Sequence, residues 1–147
     1  MDADRAAERA RSPVFGNRRR PSALPGKGGL TRILDSAANS FRGMKEGVRT
    51  EAAIQQEFAI AAVFVPLSFV LATSVWVWVA LVASVLFVLV VEFLNTAVER
   101  LCNHVTPERH EAIRVTKDLA SSAVFFALCV AGLVWGAATL LRLGLIG

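Results

Sequence analysis

Val90-Val91-Glu92-Phe93-Leu94-Asn95-Thr96-Ala97-Val98-Glu99 closes a long apolar segment, and it carries two carboxylates and one amide. On an α-helix Glu92, Asn95 and Glu99 form one stripe, because seven residues return to within about 20° of the starting direction. The two carboxylates are then about 10 Å apart along the helix axis. Ionisable groups within a membrane segment are costly, and they usually face a bundle interior or a water-filled cavity and serve a function there. The alternative is that both carboxylates pair with basic neighbours and only hold helices together.

Two uncharged runs indicate how the chain crosses a membrane. The hydrophobic fraction of 54% exceeds that of an ordinary soluble domain, and the 147 residues make one domain at most. No charged residue occurs in the 34 residues from Phe58 to Val91 or in the 23 from Leu119 to Leu141. A span takes about 20 residues, so the second run is one span. The first run would be about 50 Å long as a single helix, which exceeds the hydrocarbon core of about 30 Å, so we divide it into two spans near residues 72–75. We predict an all-α membrane protein with three transmembrane helices, at about residues 51–72, 76–101 and 115–142.

The segments before the first span differ in pattern. Residues 1–29 are rich in Arg, Ala, Pro and Gly without periodicity, which predicts a disordered cytoplasmic tail that lacks the apolar region of a signal peptide. Residues 30–49 place their apolar side chains on one side of a helix and their charged side chains on the other. This predicts an amphipathic helix at the cytoplasmic membrane surface, and residues 30–147 form the membrane domain.

The basic residues indicate the orientation of the chain. Eleven of the sixteen Lys and Arg residues precede Glu51, and four more lie between Arg100 and Lys117. The basic residues thus cluster at one side of the predicted spans, so the net charge of +4 reflects membrane orientation and does not suggest nucleic acid as a partner. The positive-inside rule puts the N-terminus and the connection between the second and third spans in the cytoplasm, and three spans then put the C-terminus on the far side of the membrane. One polar layer then lies at the cytoplasmic interface: Glu51, Glu57, Glu92, Asn95, Glu99, Lys117 and Asp118.

This polar layer suits phosphate chemistry. Mg²⁺ binds through one or two carboxylates together with substrate phosphates, and a further carboxylate can accept a hydroxyl proton. Gly26-Lys27-Gly28-Gly29 matches neither a P-loop nor a dinucleotide-binding motif, and His104 and His110 lack zinc-binding spacing. An ion or proton pathway is the non-enzymatic alternative, but a pathway needs polar groups across the full depth of the membrane, and here they lie on one side.

Two elements of the sequence resemble a known family. Glu92-Phe-Leu-Asn95-Thr-Ala-Val-Glu99, followed by Lys117-Asp118-Leu-Ala-Ser121-Ser-Ala-Val, is similar to the signature of the prokaryotic integral-membrane diacylglycerol kinases, a family that includes undecaprenol kinases. The resemblance extends upstream to Thr31-Arg32-Ile33, Ser40-Phe41-Arg42-Gly43 and Glu51-Ala-Ala-Ile-Gln-Gln-Glu57, and it covers roughly residues 30–142.

The resemblance implies an enzyme that phosphorylates a membrane lipid from MgATP, built as a homotrimer of three-span protomers with sites shared between protomers. It implies that Glu92 is the catalytic base and that Glu51 and Glu99 hold magnesium. The positions that it implies for nucleotide binding are Arg32, Asn39, Glu51, Glu99, Glu108, Arg109, His110, Lys117 and Asp118. Those that it implies for the lipid substrate are Arg32, Ser40, Phe41, Glu92, Asn95 and Ser121.

The segment from Lys117 to Val124 is more similar to the diacylglycerol branch than to the undecaprenol branch. Diacylglycerol, which would give phosphatidic acid, is therefore the expected acceptor, and undecaprenol is the alternative. The chain departs from the family pattern at Asn103, where Asp is common, at Phe41, where Trp is frequent, and at Asp35, where Lys is usual. None of these departures touches Glu51, Glu92 or Glu99.

Overall fold

The structure is a computed structural model that describes residues 29–105 and 110–146. Within these ranges every regular element is an α-helix, in the order α1 (Gly29–Thr50), α2 (Ala52–Leu71), α3 (Val75–Val105) and α4 (Glu111–Arg142). The last three helices are each long and apolar enough to cross a membrane. The predicted all-α architecture with three transmembrane helices is therefore confirmed.

Helix α1 contains the boundary between two compact units, which falls after Ala38. The predicted amphipathic helix is present, and along it only Gly47 is buried. Its location at a membrane surface stays a prediction. The predicted tail falls almost entirely on residues 1–28, outside the described part of the chain.

A single extended residue, Glu51, separates α1 from α2, with φ −114° and ψ 115°. The Glu51 backbone N–H donates to the carbonyl of Gly47 at 2.9 Å. The Gln55 side chain returns from the first turn of α2 and donates to the carbonyl of Val48 at 2.9 Å. The first bond continues the i→i−4 pattern of α1, and the second satisfies a carbonyl that the helix break leaves without a helical partner.

The connection between α2 and α3 is short and lies at the predicted division. Helix α2 ends at Leu71, where the Ala72 N–H donates to the carbonyl of Ser68 at 2.9 Å. Ser74 then precedes α3, and its hydroxyl oxygen accepts from the N–H of Val77 at 3.3 Å, in the manner of an N-cap. This polar turn ends one apolar helix and begins the next.

The bundle core lies between α3 and α4, with α2 packed against it. Leu81 and Val85 of α3 are buried against Trp135 and Ala138 of α4. The ring of Phe64, on α2, meets Trp135 edge to face with ring centroids 4.7 Å apart. Such aromatic pairs add stability beyond the area that they bury, and this pair joins α2 to α4.

The core also contains one polar chain of hydrogen bonds. The Trp135 indole N–H donates to the Ser84 hydroxyl at 3.1 Å, and that hydroxyl donates to the carbonyl of Leu81 at 2.7 Å. Both buried polar groups are therefore satisfied, which matters because an unpaired polar group in an apolar interior is costly.

Candidate active site

Glu92 lies in α3 and is buried, with 6% of its surface exposed. Its side chain interacts with that of Asn95, and its charge is within electrostatic reach of Glu99. Asn95 and Glu99 are half-buried on the same helix. The stripe predicted from helical periodicity is therefore a continuous polar face of α3 that runs from a buried carboxylate to a partly exposed one.

A fourth polar side chain reaches this face from another helix. Glu57 of α2 is half-buried, and its carboxylate lies within electrostatic reach of Glu92. The sequence pattern puts Glu57 in the polar layer but gives no reason to include it in the site, because the separation of Glu57 and Glu92 along the chain does not determine their distance in space. The available signal was its position as the last charge before the uncharged run that begins at Phe58.

The three carboxylates Glu57, Glu92 and Glu99 take part in no ion pair within residues 29–105 and 110–146. The Asn95 side-chain oxygen is buried and has no hydrogen-bond partner in the same part of the chain. A cluster that served only to tie helices together would be expected to pair its charges, because a buried charge without a partner is destabilising. Within the described residues, Glu57, Glu92 and Glu99 therefore do not form a structural ion-pair cluster.

An apolar groove begins beside this cluster. Its cavity volume is about 200 Å³, and Glu57 lines it together with Phe64, Val88 and Trp135. Val88 stands one helical turn before Glu92 on α3, so the buried carboxylate lies close to the groove. The groove therefore places a long apolar surface next to a group that can accept a proton.

Glu51 forms an ion pair with Arg100, an arginine that the sequence pattern does not predict in the site. Arg100 of α3 donates to Glu51 Oε1 from Nε at 2.9 Å and from Nη2 at 2.6 Å, and Nη2 also donates to the hydroxyl of Thr50. Arg100 follows Glu99 directly, so it projects about 100° away from the polar stripe of α3. Helical periodicity alone therefore gave no reason to include it.

The predicted nucleotide residues of α4 lie near its first turns. The ammonium of Lys117 donates to the side-chain oxygen of Asn103 at 3.4 Å, which links α4 to the end of α3. Asp118 is exposed and forms an ion pair with Arg114 at 2.5 Å. In the described part of the chain, neither Lys117 nor Asp118 has a hydrogen bond or ion pair to Glu92.

His110 is the N-cap residue of α4, and its Nδ1 accepts from the backbone N–H of Ala112 at 3.2 Å. The predicted nucleotide positions Glu108 and Arg109 lie outside the described residues. The described helix begins later, at Glu111.

The remaining predicted residues are exposed. In the unit that begins at Asn39, the Asn39 side chain accepts from Arg42, while Ser40 and Phe41 occupy the next positions of α1. Ser121 is exposed on α4. Arg32 is exposed in the part of α1 that belongs to the other unit.

The family model of prokaryotic diacylglycerol kinase matches residues 38–139, a range that contains the polar face of α3 and the first turns of α4. The chain belongs to the prokaryotic diacylglycerol kinase family. A protein named diacylglycerol kinase from Haemophilus influenzae is 38% identical over 108 residues, which cover 74% of this chain and 92% of that protein. Another of the same name from Pseudomonas aeruginosa is 37% identical over 115 residues, which cover 78% and 94%.

An undecaprenol kinase from Bacillus subtilis is also similar, at 31% identity over 108 residues that cover 71% of this chain and 88% of that protein. Membership in the diacylglycerol kinase family makes this protein an enzyme, a kinase that uses ATP to phosphorylate a lipid. Its three apolar helices make it a multi-pass membrane protein. The resemblance inferred from the sequence is thereby confirmed.

Proposed function

We propose that this protein transfers the γ-phosphoryl group of MgATP to the hydroxyl of diacylglycerol, forming phosphatidic acid at the cytoplasmic face of the bacterial inner membrane. The observation that carries this proposal is the position of Glu92, a buried carboxylate without an ion-pair partner in the described chain, next to an apolar groove. The names of the relatives from Haemophilus influenzae and Pseudomonas aeruginosa support the choice of diacylglycerol.

Glu92 would act as the general base. When the oxygen of the lipid hydroxyl attacks the γ-phosphorus, the O–H bond breaks and its proton passes to the Glu92 carboxylate, while the bond between the γ-phosphorus and the bridging oxygen of ADP breaks. Asn95 interacts with Glu92 one turn along the same helix and would hold the carboxylate in place. A positioned base of this kind contributes about 10²–10⁴ in rate.

The apolar groove would receive part of an acyl chain. Its lining by Phe64, Val88 and Trp135 suits hydrocarbon, and Glu57 marks the end at which a polar headgroup would lie. A lipid seated in this way has its hydroxyl near Glu92 and its chain between the membrane helices. The predicted lipid contacts Ser40, Phe41 and Ser121 are exposed positions and would meet the headgroup or chain from the surface.

Glu51 and Glu99 would hold Mg²⁺. Mg²⁺ takes one or two protein carboxylates and completes its shell with phosphate oxygens and water, so two carboxylates are enough to hold it with ATP. The Glu51 side chain is 32% exposed and so is open to such a complex. The bound cation would neutralise charge on the transferring phosphoryl group.

The remaining predicted residues would bind the nucleotide. The protein would form a homotrimer, and each site would be shared between protomers. Lys117 supplies a positive charge for phosphate, and Asp118 and His110 lie on the same first turns of α4. Asn39, Glu108 and Arg109 would add to the same nucleotide site, and Arg32 keeps the nucleotide and lipid roles that the family resemblance implies.

The distribution of basic residues supports a cytoplasmic N-terminus and a C-terminus on the far side of the membrane. This orientation places the nucleotide residues on the side where ATP is available. The match to an undecaprenol kinase favours undecaprenol as the second candidate acceptor.

The test is a direct comparison of acceptors. Purified full-length protein in detergent micelles receives labelled ATP and either diacylglycerol or undecaprenol, and kcat/KM is measured for each lipid. We expect diacylglycerol to be preferred by at least about tenfold and the labelled product to be phosphatidic acid. Preference for undecaprenol would reverse the choice of acceptor, and absence of labelled lipid with both acceptors would overturn the proposal.

The shared site has its own test. Glu92→Gln removes the proposed base, and Asp118→Asn alters a proposed nucleotide contact, so each variant alone should be inactive. If the sites lie between protomers, mixing the two variants in one micelle preparation should restore part of the activity. Activity that stays absent in all mixtures would contradict shared sites.

A further inference from the structure

Arg100 forms the most extensive side-chain contact at the predicted metal position. Its Nε and Nη2 both donate to Glu51 Oε1, at 2.9 and 2.6 Å, and Nη2 also donates to the Thr50 hydroxyl. Glu51 occupies the N-cap position of α2, yet its side chain makes no capping hydrogen bond there. The carboxylate is thus directed to an arginine of α3 rather than to the nearest backbone donors of its own helix.

This contact changes which ligand the Glu51 carboxylate attracts. A free divalent cation that approaches Glu51 meets a guanidinium that already neutralises the carboxylate and repels the cation. A complex of the cation with ATP carries net negative charge, so the same guanidinium attracts it. The charge of Arg100 acts over several ångströms and therefore affects both the free cation and the metal–nucleotide complex. Solvent around the partly exposed side chain weakens both effects.

We propose that Arg100 makes the Glu51 position selective for the metal–nucleotide complex over the free divalent cation. The proposal rests on the metal role assigned to Glu51 in the proposed function. The guanidinium has five N–H donors, and the bonds to Glu51 and Thr50 use only Nε and Nη2. The Nη1 donors can therefore bind a phosphate oxygen while Arg100 keeps its contact with Glu51. Arg100 is a positioning and specificity-determining residue in this account.

A purely structural role for Arg100 makes a different prediction. The contact joins the junction of α1 and α2 to α3, so its loss could simply loosen this part of the bundle. Loosening would weaken binding of every ligand at the site. The selectivity role instead requires that affinity for the free cation and affinity for the metal–nucleotide complex change in opposite directions.

The experiment uses full-length protein in detergent micelles and two binding measurements that need no turnover. Mn²⁺ binding without nucleotide is followed by electron paramagnetic resonance, and MgATP binding is measured by equilibrium dialysis. For Arg100→Gln we expect Mn²⁺ to bind about three- to tenfold more tightly and MgATP about three- to tenfold more weakly, as expected for the loss of one partly screened charge. Arg100→Lys retains the charge and should stay within about twofold of the wild type in both measurements.

Arg49→Gln is the matched control. Arg49 is an arginine near the end of α1 that pairs with Glu46 at 3.3 Å, so its loss changes the net charge equally without touching Glu51. Both affinities should stay within about twofold of the wild type. If Arg49→Gln shifts them as Arg100→Gln does, the effect is a general one of net charge, and the proposal is overturned.

A double variant tests whether Arg100 acts through Glu51. If Arg100→Gln still tightens Mn²⁺ binding when position 51 is already Gln, the coupling between the two residues is absent and the proposal fails. Affinities that move in the same direction, or do not move, would overturn it as well. Failure of the kinase proposal appears elsewhere, as the absence of labelled lipid from the wild type, and it leaves the Mn²⁺ measurement interpretable.

Discussion

Gly47 of α1 lies against the ring of Phe93 of α3, so closely that a β-carbon at position 47 would come within 2.9 Å of Phe93 Cε1. The same β-carbon would lie 2.9 Å from Cδ1 of Ile54, a fully buried residue of α2. Phe93 directly follows Glu92. This close approach therefore sets the position of the end of α1 relative to the stretch that carries the buried carboxylate.

Gly47→Ala should destabilise the protein. The added methyl group has no room beside Ile54 and the stiff ring of Phe93, and overpacking of this kind costs about 1–3 kcal/mol. The better helix propensity of Ala returns about 1 kcal/mol of this, so we expect a net loss of up to about 2 kcal/mol in the free energy of unfolding. Reversible unfolding in mixed micelles measures the change.

Gly43→Ala is the control for this prediction. Gly43 lies one turn earlier in the same helix, and a β-carbon there meets nothing within 4 Å. Relief of the glycine penalty should stabilise this variant by about 0.5–1 kcal/mol. Equal effects at positions 43 and 47 would show that the contact with Phe93 has no energetic role.

Glu92→Gln should separate catalysis from packing. Glutamine keeps the size and the hydrogen-bonding capacity of the side chain but cannot accept the hydroxyl proton, so kcat should fall by at least about 10²-fold. Affinity for MgATP should be nearly unchanged. Stability should be unchanged or slightly higher, since a buried charge is removed.

Measurements of kcat, MgATP binding and thermal stability test this prediction. Glu46→Gln, which alters an acid of α1 that pairs with Arg49, is the control and should keep normal kcat. A stable Glu92→Gln protein with near-normal kcat would remove Glu92 from the mechanism. A destabilised protein with normal activity in its folded fraction would instead support a structural role.

Glu51→Gln and Glu99→Gln should each shift the dependence of turnover on magnesium. Each variant removes one anionic oxygen ligand from a cation that binds few protein groups, so the magnesium concentration for half-maximal rate should rise by roughly tenfold or more. Titration of magnesium at fixed ATP measures this. An unchanged titration in both variants would show that the metal is held by other residues.

Gly132→Leu should obstruct the apolar groove. Gly132 lines the groove, and a β-carbon there meets nothing within 4 Å, so a larger side chain can enter the open volume without displacing backbone. We expect the KM for diacylglycerol to rise by about three- to tenfold, while the KM for MgATP stays within about twofold. Steady-state kinetics with each substrate varied in turn separates the two effects.

Gly136→Leu supplies the comparison for the groove. Gly136 stands one turn later on α4 and has equal space around it, but it does not line the groove. Its KM for diacylglycerol should stay near that of the wild type. If both variants weakened the use of lipid equally, the groove would not be the acyl-chain site.

Features that depend only on residues close together in the chain were predictable from the sequence. The uncharged runs indicated three membrane helices. The free-energy cost of placing a charged residue in hydrocarbon excludes charges from a span, and this holds before any tertiary contact is known. The stripe of Glu92, Asn95 and Glu99 was predictable because the 3.6-residue period of a helix alone brings these side chains onto one face. The resemblance of this stretch and of Lys117-Asp118 to the diacylglycerol kinases led to the correct family.

Contacts between helices were decided by the tertiary structure. Three features depend on how α2, α3 and α4 are rotated and shifted against one another. They are the proximity of Glu57 to Glu92, the ion pair of Arg100 with Glu51, and the groove beside Trp135. Those rotations follow from the joint packing of many side chains, Gly47 against Phe93 among them, and no local period encodes them. The three membrane helices and the polar face of α3 therefore follow from residues close together in the chain, while packing between helices sets which groups from other helices meet that face.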